Sequence, residues 1–475
     1  MKKLLSLTLA IVLILGLCAC GGSGSEGGNK DEYTGLQVGY NRQSILPTSP
    51  VQMAGYGNQG SRLSTGYLDI IYATCTAFRE NGNTILLFAL DLLRTESNWT
   101  EDYRNAINEA TGVPKENIMF CASHTHSAPA PGGNEAEVQK WKTEVLDTAI
   151  VKAAQKAIED LAPATLYTTT VKTENMTYVR HYELVDGTYC GDNFGDGTKQ
   201  RVGHATKANE DMVLLKADRE GDKKDIMLMN FQAHPCFTGG SQKTDISADF
   251  IGATRNIFEA KTGMQFIYFT GTAGNQNTVT KMPDEIPNSL SSKGMQTYSE
   301  TLAQYAIDAM DNMTAVEGSG IKNQQLSFEY ESNKIGQDRL DDARVIFNYA
   351  KETGNMSAAT DKAKTMGFIS VYECQAIVRA SGYPATRPME LNVLSIGDLG
   401  IVTTPCELFS DTGLYIREHS PFKTTLLLSL ANEVHGYYPT KQAYDYYSYE
   451  SWSSQYASGV AEAMADKLVE MLKGL

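Results

Sequence analysis

The sequence has 475 residues and a formal net charge of −15, with 41 Lys and Arg against 56 Asp and Glu. The acidic residues are scattered rather than blocked, which argues against nucleic acid and against adsorption to an anionic lipid surface. Its 8 cysteines are far apart beyond the N-terminus and form no CxxC, so neither a zinc ribbon nor a small disulfide scaffold is indicated.

Lys2-Lys3 precedes an apolar run from Leu4 to Leu17 that is too short for a membrane span and has the layout of a cleavable leader. Leu17-Cys18-Ala19-Cys20 resembles the lipobox of bacterial lipoproteins. That resemblance implies a signal peptide over 1–19 and lipidation of Cys20, with a plain secretory signal as the alternative. Residues 20–33 then form a flexible polar tether. The body, 34–475, is expected to be soluble, extracytoplasmic and membrane-associated only through the N-terminal lipid anchor. Cys75, Cys121, Cys190, Cys236, Cys374 and Cys406 remain after cleavage. Those close to the residues singled out below (Cys121, Cys236, Cys406) read as small buried hydrophobes, with thiolate ligands as the alternative.

From residue 36 apolar strands alternate with amphipathic helices, so the expected class is α/β (mixed α+β), with layered mixed β-sheets flanked by helices in a single large domain. Thr84 to Asp91 reads as a buried strand ending in an acid. Asn98 to Ala110 reads as a helix broken by Gly112-Val113-Pro114 before a strand that begins at Ile118. Glu135 to Leu161 has helical spacing at Val138, Trp141, Val145, Ala149, Ala153 and Ile158. Strands follow near Leu166 to Val171, Val213 to Lys216 and Ile226 to Phe231. Asp249 to Gly263 is a helix feeding the strand Phe266 to Phe269. That strand runs into a turn whose Gly271 and Gly274 permit close backbone approach or positive φ. Met295 to Met313 is helical, Ile321 to Glu331 a strand, and Leu340 to Ala380 mostly helical. Leu391 to Thr404 reads as two short strands leading into Glu407 at a helix start. A last strand, Thr424 to Leu430, precedes a helix from about Trp452 to Leu472.

Polar residues follow several of these strands: Asp91, His124 and His126, His234, Asn275 and Asn277, Glu407 and Tyr437. If the Ile118 strand continues to residue 126, His124 and His126 point to one face. A hydrogen-bonded histidine pair accounts for that tripeptide as well as a site does. Two histidines and a carboxylate form a catalytic zinc set with a position open for water. Spacing alone does not choose the ligands, because His181, His204, His419 and His435 compete. No His-Glu-x-x-His or Gly-x-Ser-x-Gly is present, which removes the main support for the common zinc-protease and α/β-hydrolase readings.

Several segments, taken in order, resemble the catalytic domain of the neutral/alkaline (non-lysosomal) ceramidase family. They are Val38-Gly39-Tyr40 to Leu46-Pro47, Ala54-Gly55-Tyr56-Gly57, Phe88 to Asp91 and Ala122 to Pro129. Asn230 to Pro235, Gly271 to Asn275, Pro405-Cys406-Glu407, Asn432 to Thr440 and Tyr449-Glu450 continue the series. The resemblance implies zinc (Zn2+) ligands at His124, His234, Glu407 and Tyr437, a substrate-facing His126, and a site arginine at Arg180. It also implies hydrolysis of an amide (N-acyl) bond in a small-molecule or lipid-like substrate by metal-activated water. Two departures are expected to matter. Asn277 stands where the family has its serine, which leaves a serine acyl-enzyme unsupported but still offers an oxyanion or substrate donor. The family's C-terminal β-sandwich is expected to be missing, which separates amide hydrolysis from specificity for ceramide. The alternative is a non-catalytic substrate-binding lipoprotein that keeps the fold.

Overall fold

Strands that read as nearly continuous apolar runs suit burial on both faces. Asn83–Leu90, Ile118–Ala122, Ile226–Phe231 and Gln265–Thr270 are of this kind and are buried almost throughout. A computed structural model describes residues 33–56, 62–130, 132–191, 194–240, 243–279 and 292–475. The expected leader, Cys20 and nearly all of the tether lie outside the described residues. Within Gly35–Leu475, which forms one compact unit, a long mixed sheet runs in the order Gln265–Thr270, Ile226–Phe231, Asp211–Arg219, Ala162–Lys172, Gln37–Ser44, Tyr72–Glu80, Asn83–Leu90, Ile118–Ala122. A second sheet runs Ile321–Glu331, Thr386–Ile396, Leu399–Thr403, Thr424–Leu428.

The two sheets pack face to face. Val38, Phe78, Leu87, Leu215, Leu228 and Phe269 of the first meet Ile321, Leu394, Ile401 and Leu426 of the second. Burying each large side chain of this kind contributes about 1.5–3 kcal/mol. Helices cover the outer face of the first sheet. Ser97–Thr111 and the 136–159 helix lie over one half, and Asp249–Thr262 and Ser292–Asp308 over the other. The C-terminal helix Val460–Lys473 covers the outer face of the second sheet. The arrangement is helix, sheet, sheet, helix, with a satellite cluster formed by Leu340–Thr353, Met356–Thr365 and Val371–Ala380.

Two details differ from the sequence expectation. Glu407 is in a two-residue strand, and its helix begins only at Ser410. The closing helix is interrupted: Tyr449–Ser453 is separate from Val460–Lys473. Gly459, at φ 90°, marks the restart, a conformation that glycine adopts without steric cost.

The parallel pairs of the fold place the site. Asn83–Leu90 pairs with Ile118–Ala122, Ile226–Phe231 with Gln265–Thr270, and Leu399–Thr403 with Thr424–Leu428, each in parallel. Strands so paired deliver their following loops to the same end. The two edges of the long sheet also meet there. Thr270 Oγ1 donates to the Ser123 carbonyl at 2.9 Å, Ser429 N–H to the Thr270 carbonyl at 2.9 Å, and Ala122 N–H to the Leu430 carbonyl at 3.1 Å.

Candidate metal centre

The strand from Ile118 ends at Ala122, so alternation along a strand is not what aligns the two histidines. His124 has φ 70°, a left-handed conformation costing a side-chain-bearing residue about 1–2 kcal/mol. Its N–H is held by the Leu92 carbonyl at 2.9 Å. The turn brings His124 and His126 together edge to face at 4.9 Å, with their Nε2 atoms 3.4 Å apart.

His234 enters from the end of Ile226–Phe231, its ring 4.8 Å from that of His124. Glu407 Oε2 lies 3.2 Å from His124 Nε2 and 3.2 Å from His234 Nε2. Tyr437 is the register partner of Glu407 in a short parallel bridge, and its ring stacks on His234 at 6.5 Å. Gly274 brings the adjoining loop against this bridge. A Cβ built there would be 2.8 Å from the Glu407 carbonyl carbon and closer still to its oxygen. Close approach, rather than positive φ, is what this glycine provides.

Both inner histidines are oriented from behind. His124 Nδ1 faces the Leu93 carbonyl at 2.8 Å and His234 Nδ1 faces the Gln276 carbonyl at 3.1 Å. A carbonyl accepts, so each Nδ1 is held from behind and each Nε2 is turned toward Glu407. This is how protein metal sites orient imidazole ligands. Burial, then the neighbouring His124 and His234, hold His126 well below its ordinary pKa. Burial, then the Arg180 charge, lower His234. Burial would raise Glu407, but His124 and then His234 outweigh it and hold the carboxyl well below its usual range. Burial, then Glu407, push Tyr437 well above the usual phenol value. Two imidazole nitrogens converging on a carboxylate are a donor set that fits zinc, and the ligand atoms of His124, His126 and His234 all lie within 4.8 Å of one another.

Arg180 is not on the surface. Its guanidinium lies 5.4 Å over the Tyr437 ring, donates to the Gly274 carbonyl at 2.9 Å and pairs with buried Glu450 at 2.6 Å. Asn277 lies alongside, bridged to His234 and opposite Tyr178 in register. His126 is backed by Gly55 and by the Tyr56 ring at 5.1 Å, and Arg62 donates to the His126 carbonyl at 2.7 Å. Its Nδ1 is buried without a hydrogen-bond partner.

The competing groups are placed elsewhere. Asp91 forms a buried ion pair with Arg255 at 3.0 Å. His181 is bound to Glu450, His204 to the Val179 carbonyl, His419 to the Tyr415 carbonyl, and His435 to Glu433. Burial pushes the Cys121 and Cys406 thiols well up and Cys236 to about 12, and among the described residues the cluster of converging ligand atoms is formed by His124, His126 and His234 and includes no cysteine. Arg62 emerges only from the fold, whereas Tyr56 and Glu450 lie in resembling segments and His181 is one of the competing histidines; the fold supplies their partners.

These shifts fix a pH dependence. Below about 6.5 an unfolded chain protonates both histidines, whereas the folded state resists protonation at His126 and His234. Glu407 acts in the same direction below its ordinary 4.5. The folded state binds fewer protons, so this stability is present above about 6.5 and is lost as pH falls. The melting temperature of chelator-treated protein should be level near neutrality and fall from about pH 6.5 downward, with a shallower fall in His126→Gln. Equal slopes in the two proteins would contradict the assignment.

Fold and site together define a mixed α/β protein with a buried histidine–carboxylate centre at the ends of parallel strands. No protein-family model matches the chain, and no curated protein matches it by sequence. Solved structures do. Neutral ceramidase from Pseudomonas aeruginosa superposes with a TM-score of 0.70 at 16% identity, covering 93% of this chain and 74% of that one. A ceramidase complexed with C2 gives 0.68 at 17% identity, covering 93% and 75%. The chain has the neutral ceramidase fold.

Proposed function

We propose that this chain is a zinc-dependent hydrolase of an amide bond in a lipid-like N-acyl substrate, working outside the bacterial cytoplasm from a lipid anchor on Cys20. The observation that carries the reading is the convergence of His124 Nε2 and His234 Nε2 on Glu407 Oε2, each ring fixed by a backbone carbonyl. The N-acyl class comes from the ceramidases whose fold the chain shares.

His124, His234, Glu407 and Tyr437 would hold the zinc, which when bound polarises a carbonyl and lowers the pKa of water. His126, neutral and beside His124, takes a proton from the attacking water and returns it to the departing amine. Arg180 and Asn277 position the acyl oxygen and its neighbours. No serine nucleophile is needed for this chemistry.

Asn277, at the family serine's position, favours a second reading, a binding lipoprotein without turnover. Purified full-length protein, zinc-loaded or chelator-stripped, should be incubated with short-acyl and long-chain N-acyl sphingoid bases in detergent. Release of free amine by the zinc-loaded protein alone is the expected result. Zinc-loaded protein that binds these amides and releases none would transfer the conclusion to the binding reading.

A further inference from the structure

Glu450 belongs to the short helix Tyr449–Ser453 and is 1% exposed. Arg180 Nε and Nη2 donate to its Oε1 at 3.0 and 2.6 Å, and His181 Nε2 lies 2.9 Å from its Oε2. His181 is fixed in turn by the Tyr446 hydroxyl at 2.8 Å. The mechanism above does not use this carboxylate.

What it does is legible from the position of Arg180. The guanidinium lies over Tyr437 and donates to Gly274. Tyr437 is the register partner of Glu407, and Gly274 packs on the Glu407 backbone. A permanent cation is therefore built into the wall of a site whose donors suit a dication. In a buried environment such a field is only weakly screened, and a buried arginine without a partner is strongly unfavourable.

We infer that Glu450 is the counter-charge that makes Arg180 compatible with the metal centre, and that the Arg180–Glu450 pair thereby sets the affinity of that centre for a divalent cation. The inference rests on the zinc reading of His124, His234, Glu407 and Tyr437. It makes Glu450 a positioning residue that acts through Arg180 and touches neither substrate nor metal.

Charge and structural support give opposite signs when the arginine is removed. Zinc affinity should be measured by competition with a chromophoric chelator on full-length wild type, Glu450→Gln, Arg180→Met and the double variant. Near-UV circular dichroism of each metal-free protein reports the fold. Loss of the counter-charge in Glu450→Gln should weaken zinc binding by about 10- to 100-fold, the range typical of groups behind metal ligands. Arg180→Met, which leaves the anion and removes the cation, should bind zinc at least as tightly as wild type. The double variant should recover most of the loss. If Glu450→Gln does not fold, Arg180→Met alone still decides, because a structural role predicts weaker binding there.

Wild-type zinc binding with Glu450→Gln unchanged, with Arg180→Met weakened, or with the double variant as weak as Glu450→Gln would overturn the inference while leaving the zinc reading intact. Wild type that takes up no zinc would overturn both.

Discussion

Alanine at His124 or His234 is expected to reduce zinc from about one ion per chain to near zero, measured by elemental analysis of the full-length protein. Each variant removes a nitrogen 3.2 Å from Glu407 Oε2 and leaves that carboxylate with half of its partners. Charge stabilisation by a bound metal contributes several kcal/mol to a hydrolytic transition state. At about 1.4 kcal/mol per decade, amide hydrolysis should fall by roughly 10³-fold or more. His126→Ala provides the contrast. Its Nε2 is 3.4 Å from that of His124, but its Nδ1 has no carbonyl behind it. It lacks the orientation that the other two rings share. That variant should keep its zinc and lose about 10²–10⁴-fold in rate, as befits a proton-transfer group. Zinc lost from His126→Ala and kept in His234→Ala would reassign the ligand set.

The layered fold was legible because its signal is local. Ile226–Phe231 and Ile321–Glu331 are found at their expected bounds. Gly112 and Gly263 end helices in left-handed conformations, as their positions after an apolar-periodic run suggest. The site is less legible because long-range closure builds it. The pairing of His124 with His126 follows from a left-handed turn, not from the two-residue period that made the tripeptide noticeable. His124 follows one edge strand of the long sheet and His234 the strand next to the opposite edge. They meet because Ser123, Thr270 and the 429–430 segment lace those edges together, a closure that no spacing records. Glu407 and Tyr437 were reached through family resemblance, and the two-residue bridge that joins them is too short for a periodicity signal. Glu450 falls in one of the resembling segments, yet its pairing with Arg180 spans 270 residues and appears only once the chain is folded.

Gly274→Ala should disable the centre without altering any group that carries chemistry. The added methyl would sit against the backbone of the Glu407–Leu408 strand, 2.8 Å from the Glu407 carbonyl carbon and 2.9 Å from the Leu408 carbonyl oxygen. A flexible side chain could rotate away, but these are main-chain atoms held by the bridge to Tyr437–Tyr438. Overpacking of this kind costs about 1–3 kcal/mol. Relief requires the 271–278 loop and the Glu407–Leu408 strand to separate. Separation breaks the Gly274 N–H bond to the Leu408 carbonyl and the Arg180 bond to the Gly274 carbonyl. It also shifts Glu407 away from both imidazoles. Zinc affinity should therefore fall by about 10- to 100-fold, the loss typical when groups that support metal ligands are disturbed. The denaturant midpoint should fall by the overpacking cost alone. Gly203→Ala is the reference, because nothing lies within 4 Å of a Cβ at that position. If Gly274→Ala lost stability but bound zinc as wild type does, the loop would be packing on the ligand strand without positioning it. Glu407 would then owe its placement to the Tyr437 bridge alone.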